Sequence, residues 1–204
     1  MIYYELFYKD KIVGERPEKE YILGTIEVSH EEGVIRFPAK VMKNSGDAMF
    51  VLYVQGYRWM EKESAIVSGA RLQDLQFSLA SLNWQDWDDL WNRKKTEETA
   101  KYKLFVAWTK DGKNFRKQAT ELVQAKGEKD LYLWDLVFLG SPAFDDYITD
   151  DSAYGECSRC PVFDIEKKTI LGLLGDKKEE VGYNINSDNM PPQGSEVVIE
   201  IIKE

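Results

Sequence analysis

Glu63-Ser-Ala-Ile-Val-Ser-Gly-Ala-Arg-Leu-Gln-Asp-Leu-Gln-Phe-Ser-Leu-Ala-Ser-Leu82 is the stretch whose reading decides the fold. On either side of it apolar residues recur with a period near two, the pattern of strands with one buried face. Inside it the period lengthens. Leu72, Leu75, Leu79 and Leu82 fall at i, i+3, i+7 and i+10, which places them on one face of a helix. The segment reads as a strand running into a helix. The expected fold class is therefore α+β: a predominantly antiparallel β-sheet domain with one main amphipathic helix packed on the sheet.

Working outward, Tyr21 to Val28 and Val34 to Val41 read as two strands joined by a turn that ends in Gly33. Ala48 to Gln55 is an apolar and aromatic run fit for a buried strand. Lys101 to Thr109 and Asn114 to Ala119 flank Lys110-Asp-Gly-Lys113, and Asp-Gly favours the type I′ turn of a tight hairpin. Leu131 to Leu139 and Pro161 to Leu174 supply further strands, and Asn184 to Pro192 is polar and turn-rich. Gly194 to Ile202 alternates Val197, Ile199 and Ile201, a half-buried strand. Residues 1–20 read as an N-terminal extension and residues 21–204 as a single domain.

The 204 residues suffice for one core of ordinary depth. An apolar fraction of 43% and an aromatic fraction of 13% give enough surface to offset the entropy of folding, which argues against a disordered chain. A net charge of −9 disfavours nucleic acid as a partner, because phosphate contacts need clustered Lys and Arg. No apolar run approaches the roughly 20 residues that span a bilayer. The opening Met-Ile-Tyr-Tyr-Glu-Leu-Phe-Tyr-Lys-Asp10 has an early acid and no long apolar region, so it does not read as a secretory signal. The chain is thus either cytoplasmic or a mature segment expressed behind a start Met.

Several separated segments resemble the YdjY-like family, mostly secreted or periplasmic bacterial proteins without an established activity. Thr25-Ile-Glu-Val28 with Val34-Ile-Arg-Phe-Pro-Ala-Lys-Val41 is similar to the family's first hairpin. Glu63-Ser64 and Leu72 to Leu82 resemble its "ESL" strand and subsequent helix. Val106-Ala-Trp-Thr-Lys-Asp-Gly-Lys113 resembles its central hairpin, and Ala119-Thr-Glu-Leu-Val123 the segment next to that hairpin. Leu136-Val-Phe-Leu-Gly-Ser141 and Pro191-Pro-Gln-Gly-Ser-Glu-Val-Val-Ile199 complete the series in order. The resemblance covers residues 21–202 and implies the fold of a single YdjY-like domain and a periplasmic or extracellular address, with cytoplasmic as the alternative. It transfers no catalytic residue. The stretch 84–91 and the segment around Cys157 and Cys160 lie outside the family's pattern.

Four constellations bear on chemistry. Cys157-Ser-Arg-Cys160 is the only cysteine pair. A redox dithiol needs a stabilised thiolate, usually at a helix N-terminus, but Pro161-Val-Phe-Asp reads as a strand start. A shared metal site would need ligands from another chain, and a structural disulfide or two idle thiols is the favoured reading. Trp84, Trp87 and Trp91 fall at i, i+3 and i+7. They either continue the leucine face into the core, the favoured reading, or anchor a partner. Asp145, Asp146, Asp150 and Asp151 supply oxygen atoms for calcium but lack the spacing of an EF-hand loop, so a solvated acidic loop is favoured. His30, the sole histidine, sits in a predicted turn with no nucleophile implied beside it.

No cofactor is expected. The expected function is a non-enzymatic binding or assembly domain that holds a protein partner or a second copy of itself. The alternative is an accessory of electron transfer that uses Cys157 and Cys160 as a dithiol or as shared metal ligands. A glycan hydrolase drawing on Asp145, Asp146 and Asp150 ranks last, because nothing in the sequence fixes the carboxyl separation such chemistry needs.

Overall fold

A computed structural model of the chain describes residues 20–54, 61–82, 101–125, 136–138, 171–173 and 182–204. These residues form mostly antiparallel β-sheet with little helix. The strands are β1 (Glu20–Leu23), β2 (Ile26–Ser29), β3 (Val34–Val41), β4 (Asp47–Ala48), β5 (Phe50–Val54), β6 (Ser64–Ser68) and β7 (Lys101–Lys110). They continue with β8 (Lys113–Gln118), β9 (Val123–Ala125), β10 (Leu136–Phe138), β11 (Leu171–Leu173), β12 (Tyr183–Ile185) and β13 (Glu196–Lys203). The described helices are α1 (Leu72–Leu82) and the single turn α2 (Ala119–Leu122).

β13 is the centre of the larger sheet. It pairs antiparallel with β3 from Glu196↔Lys40 to Ile202↔Val34, and with β7 from Val198↔Ala107 to Lys203↔Tyr102. Its alternation decides its faces: Val197, Ile199 and Ile201 are buried, whereas Glu196 and Val198 are exposed. Both flanking strands have divided outer edges. β3 pairs with β2 through Val34–Arg36 and with β6 through Lys40–Val41. β7 pairs with β10 near Lys101 and Tyr102 and with β8 from Phe105 onward. Pro38 lies in the interval between the β2 and β6 partners of β3, where a missing N–H breaks neither ladder. Its carbonyl accepts a bond of 2.6 Å from Ser68 Oγ.

β5 and β6 run parallel, and all five residues of β5 are buried. A three-stranded sheet, β4-β12-β9, joins Ala48, Tyr183 and Ala125 in one row. The fully buried large side chains include Phe37, Leu52, Ile66, Leu75, Leu79 and Leu104.

Two expectations need correction. Tyr21 to Val28 is two strands, with β1 folding back on β2 through Gly24 and Thr25. The apolar positions change phase at the turn, from Tyr21 and Leu23 to Ile26 and Val28, but the apolar Ile22 obscures the change. The second correction concerns the helix. Leu75 and Leu79 are buried and Leu82 packs against the core, but Asp74 (2% exposed) and Ser78 (0%) are as deeply buried as the leucines. The buried side of α1 is therefore part polar, which a simple amphipathic stripe does not provide, and one main amphipathic helix is not what the structure supports.

Those polar groups are satisfied. Arg71 grips Asp74 with Nε to Oδ2 at 2.8 Å and Nη2 to Oδ1 at 2.6 Å, a fork geometry suited to a carboxylate. The hydrogen bond and charge of Asp74 raise the Arg71 pKa above its usual value. The raised pKa keeps Arg71 charged in this contact throughout the physiological range, and its contribution is lost only at strongly alkaline pH. Asp74 also lies in the first turn of α1, where the helix dipole favours an anion. Ser78 Oγ donates to Asp74 O at 2.7 Å, and the hydroxyls of Ser81 and Tyr21 are bonded at 2.7 Å. At the other end, Lys203 Nζ donates to Leu82 O at 3.1 Å, so β13 supplies the cation that the last turn of α1 lacks.

The β1–β2 turn rests on this carboxylate. Gly24 has φ of +63°, and a Cβ there would stand 2.6 Å from Asp74 Oδ2. Gly24→Ala is expected to cost about 2 kcal/mol or more, from the left-handed backbone and from displacement of the buried carboxylate. Urea denaturation of the variant checks this. A loss below about 0.5 kcal/mol would mean that the turn can move away from Asp74. Leu79→Ala, at a fully buried site, is expected to cost about 2–5 kcal/mol in the same measurement.

Candidate binding surface

The side of the larger sheet away from the core is formed by β2, β3, β13, β7 and β8. Alternation sends Glu27, Arg36, Glu200, Phe105 and Gln118 to this side, and the strand registers set them in one row across five strands. The next row is Pro38, Val198, Ala107 and Arg116. Lys40 and Glu196 lie beyond it.

Glu200 ties the first two rows together. Its Oε1 accepts from Arg36 Nε at 3.3 Å and its Oε2 from Arg116 Nε at 2.7 Å. Arg36 also donates through Nη2 to Glu32 Oε2 at 2.6 Å. The hydrogen bond to Glu32 is the largest cause of a raised Arg36 pKa; partial burial opposes it, and Glu200 adds to it. The Arg116 guanidinium lies 3.5 Å from the centroid of Phe105, a cation–π contact. Lys40 Nζ reaches Glu196 at 4.0 Å. The charges on this side are thus spent largely on one another. What they leave is an apolar strip, Pro38–Val198–Ala107, with Val198 41% exposed.

Beyond the Ala107↔Val198 pair, β7 continues without β13 and forms with β8 a two-stranded arm. Asp111 and Gly112 at its tip have φ of 52° and 73°, the positive values at both central positions that a type I′ turn requires. The Asp-Gly signal in the sequence located this turn to the residue.

Arg36, its pKa raised, holds its proton throughout the physiological range and acts as a fixed charge. Among the described residues no group of three His, Cys, Asp or Glu side chains is placed to hold a metal ion. His30 lies in a turn, as expected, and its ring is tilted against Tyr21 with centroids 5.8 Å apart. Trp84, Trp87, Trp91, Cys157, Cys160, Asp145, Asp146, Asp150 and Asp151 all lie outside the described residues, as does the extension up to residue 19. The residues that do form the surface were not singled out by the sequence, because a charge row across five strands has no signature within any one of them. No helix among the described residues is long and apolar enough to cross a membrane.

Glu200→Gln is expected to cost about 1 kcal/mol in urea denaturation, since two guanidinium groups then lose a shared counter-charge at a half-exposed site. In the background of Arg36→Gln and Arg116→Gln the same change should cost distinctly less; an unchanged cost would show that the three side chains are not coupled. Comparison of the chain with protein-family models, with curated proteins and with solved structures finds no match in any of the three.

Proposed function

We propose that this chain is a non-enzymatic binding or assembly domain, bacterial and extracytoplasmic, in which residues 21–204 form one YdjY-like α+β domain. The observation that supports the binding role is the apolar strip Pro38–Val198–Ala107, framed by charges that neutralise one another. Interfaces of modest size have this composition: an apolar centre depleted in free charge and a polar rim. A partner covering the strip removes Val198 from water without stripping solvent from an unpaired ion, so association meets little desolvation penalty. The extracytoplasmic address rests on the ordered resemblance of residues 21–202 to the YdjY-like family.

The test is association. Sedimentation velocity over a hundredfold range of concentration, together with affinity capture from the source cells, should show a complex with itself or with another protein. Val198→Glu should weaken that complex at least tenfold while leaving the melting temperature within a few degrees, because the side chain already faces solvent. A chain that stays strictly monomeric and captures nothing in either experiment overturns the reading. Fractionation of the source cells should place the protein with periplasmic or secreted markers, and recovery with cytoplasmic markers overturns the address.

A further inference from the structure

The outer edge of β8 offers a second and more specific surface. β8 pairs with β7 through all six of its residues and with no other strand among the described residues. Its first four residues are exposed. An edge of this kind presents unpaired N–H and C=O groups in a row, ready to accept another strand, as far as Gln118, whose N–H donates to Glu121 Oε1 at 2.9 Å.

The side chains along the edge specify what it accepts. Val106 faces the core, so its cross-strand partner Lys117 lies on the same side, as do Trp108 with Phe115 and Lys110 with Lys113. Phe115 stacks on Trp108 with centroids 5.4 Å apart and planes 11° from parallel, yet remains 38% exposed. Lys110 and Lys113 are direct cross-strand partners, a like-charge pair that costs stability. Neither makes an ion pair among the described residues. Among the described residues Lys117 pairs with Glu121 alone, at 3.3 Å between two half-exposed side chains, a contact of small worth that is readily exchanged. Along one side of the edge the order is thus cation, exposed aromatic, cation, spaced by two residues: Lys113, Phe115 and Lys117.

We infer that the edge of β8 receives, by strand addition, an extended acidic segment of a partner protein in which two acids flank an apolar residue in the pattern acid-x-apolar-x-acid. This deepens the binding-domain reading and rests on it. Main-chain hydrogen bonds hold the added strand, and alternate side chains set its register. An apolar residue opposite Phe115 extends the Trp108–Phe115 stack, and the acids two residues to either side fall opposite Lys113 and Lys117. The pattern reads the same in both directions, so it serves either strand orientation. A second copy of this chain is a poor occupant, because pairing β8 with itself about a two-fold axis at Phe115 sets Lys113 of each copy opposite Lys117 of the other.

The test uses the whole chain and the peptide Ac-Thr-Glu-Thr-Ile-Thr-Glu-Thr-NH2. Binding should slow amide hydrogen exchange at Asn114 and Arg116, whose N–H groups alternate with those bonded to β7, and should weaken at least threefold between 50 and 200 mM salt. The peptide with Lys in place of both Glu should bind at least tenfold more weakly. The double variant Lys113→Glu, Lys117→Glu should invert that preference, with an unchanged melting temperature certifying the fold. If the double variant is unfolded, Lys113→Gln alone should weaken the acidic peptide at least threefold. The inference is overturned if saturating peptide leaves exchange in β8 unchanged, or if the variants keep the original affinities. Protection of β8 that grows with chain concentration in the absence of peptide also overturns it, in favour of a second copy. If the edge fails while Val198→Glu still abolishes a complex, only the edge assignment falls. If neither surface binds, the binding-domain reading falls with it.

Discussion

The pairing of β13 on both of its edges is the constraint on which the rest of the structure depends. Seven residues of this strand meet β3 and six meet β7, and its buried Val197, Ile199 and Ile201 lie between the buried residues of both neighbours. Because side chains alternate, fixing this one register fixes which residues of three strands face the core. A slip by one position would turn Glu200 inward and Ile199 and Ile201 out to water. The same register sets Arg36, Glu200 and Phe105 in one row and Pro38, Val198 and Ala107 in the next, so core and outer surface are specified together.

Strands whose burial pattern and boundaries are both local were legible in the sequence. β3 begins and ends where its alternation does, and the β7–β8 hairpin turns at Asp111-Gly112, where the dipeptide demands it. What escaped depends on partners distant in sequence. The fold-back at Gly24 shows in the sequence only as a phase change, from Tyr21 and Leu23 to Ile26 and Val28, which the apolar Ile22 obscures. It brings Gly24 against Asp74, a residue 50 positions away. Burial of Asp74 and Ser78 likewise contradicts a leucine-only reading of α1, and among the described residues Arg71 and the backbone of the helix itself make it tolerable. The candidate surface was illegible for a related reason. An open edge and a neutralised charge row are properties of the sheet order, and the tryptophans, cysteines and acidic run that stood out as residue types lie outside the described residues.

The polar contacts around α1 act as a coupling between elements rather than as isolated bonds. Gly24 from the β1–β2 turn rests on Asp74, Tyr21 from β1 bonds Ser81, and Lys203 from β13 caps the carbonyl of Leu82. The helix is thereby held at its start by one sheet segment and at its end by another. Hydrophobic burial of Leu75 and Leu79 supplies cohesion without direction. The hydrogen bonds supply the direction, fixing how far the helix can slide or rotate on the sheet.

The late position of β13 has a consequence for how the protein is made. Its neighbour β3 is complete at residue 41, yet the strand that pairs along one whole edge of it begins at residue 196. At roughly 5–20 residues per second on the ribosome, that edge waits on the order of ten seconds for its partner. During the wait β3 and β7 expose apolar edges to each other and to neighbouring nascent chains. Lys40 on the waiting strand works against mistaken strand pairing, so a residue unremarkable in the finished sheet has its largest effect before it closes.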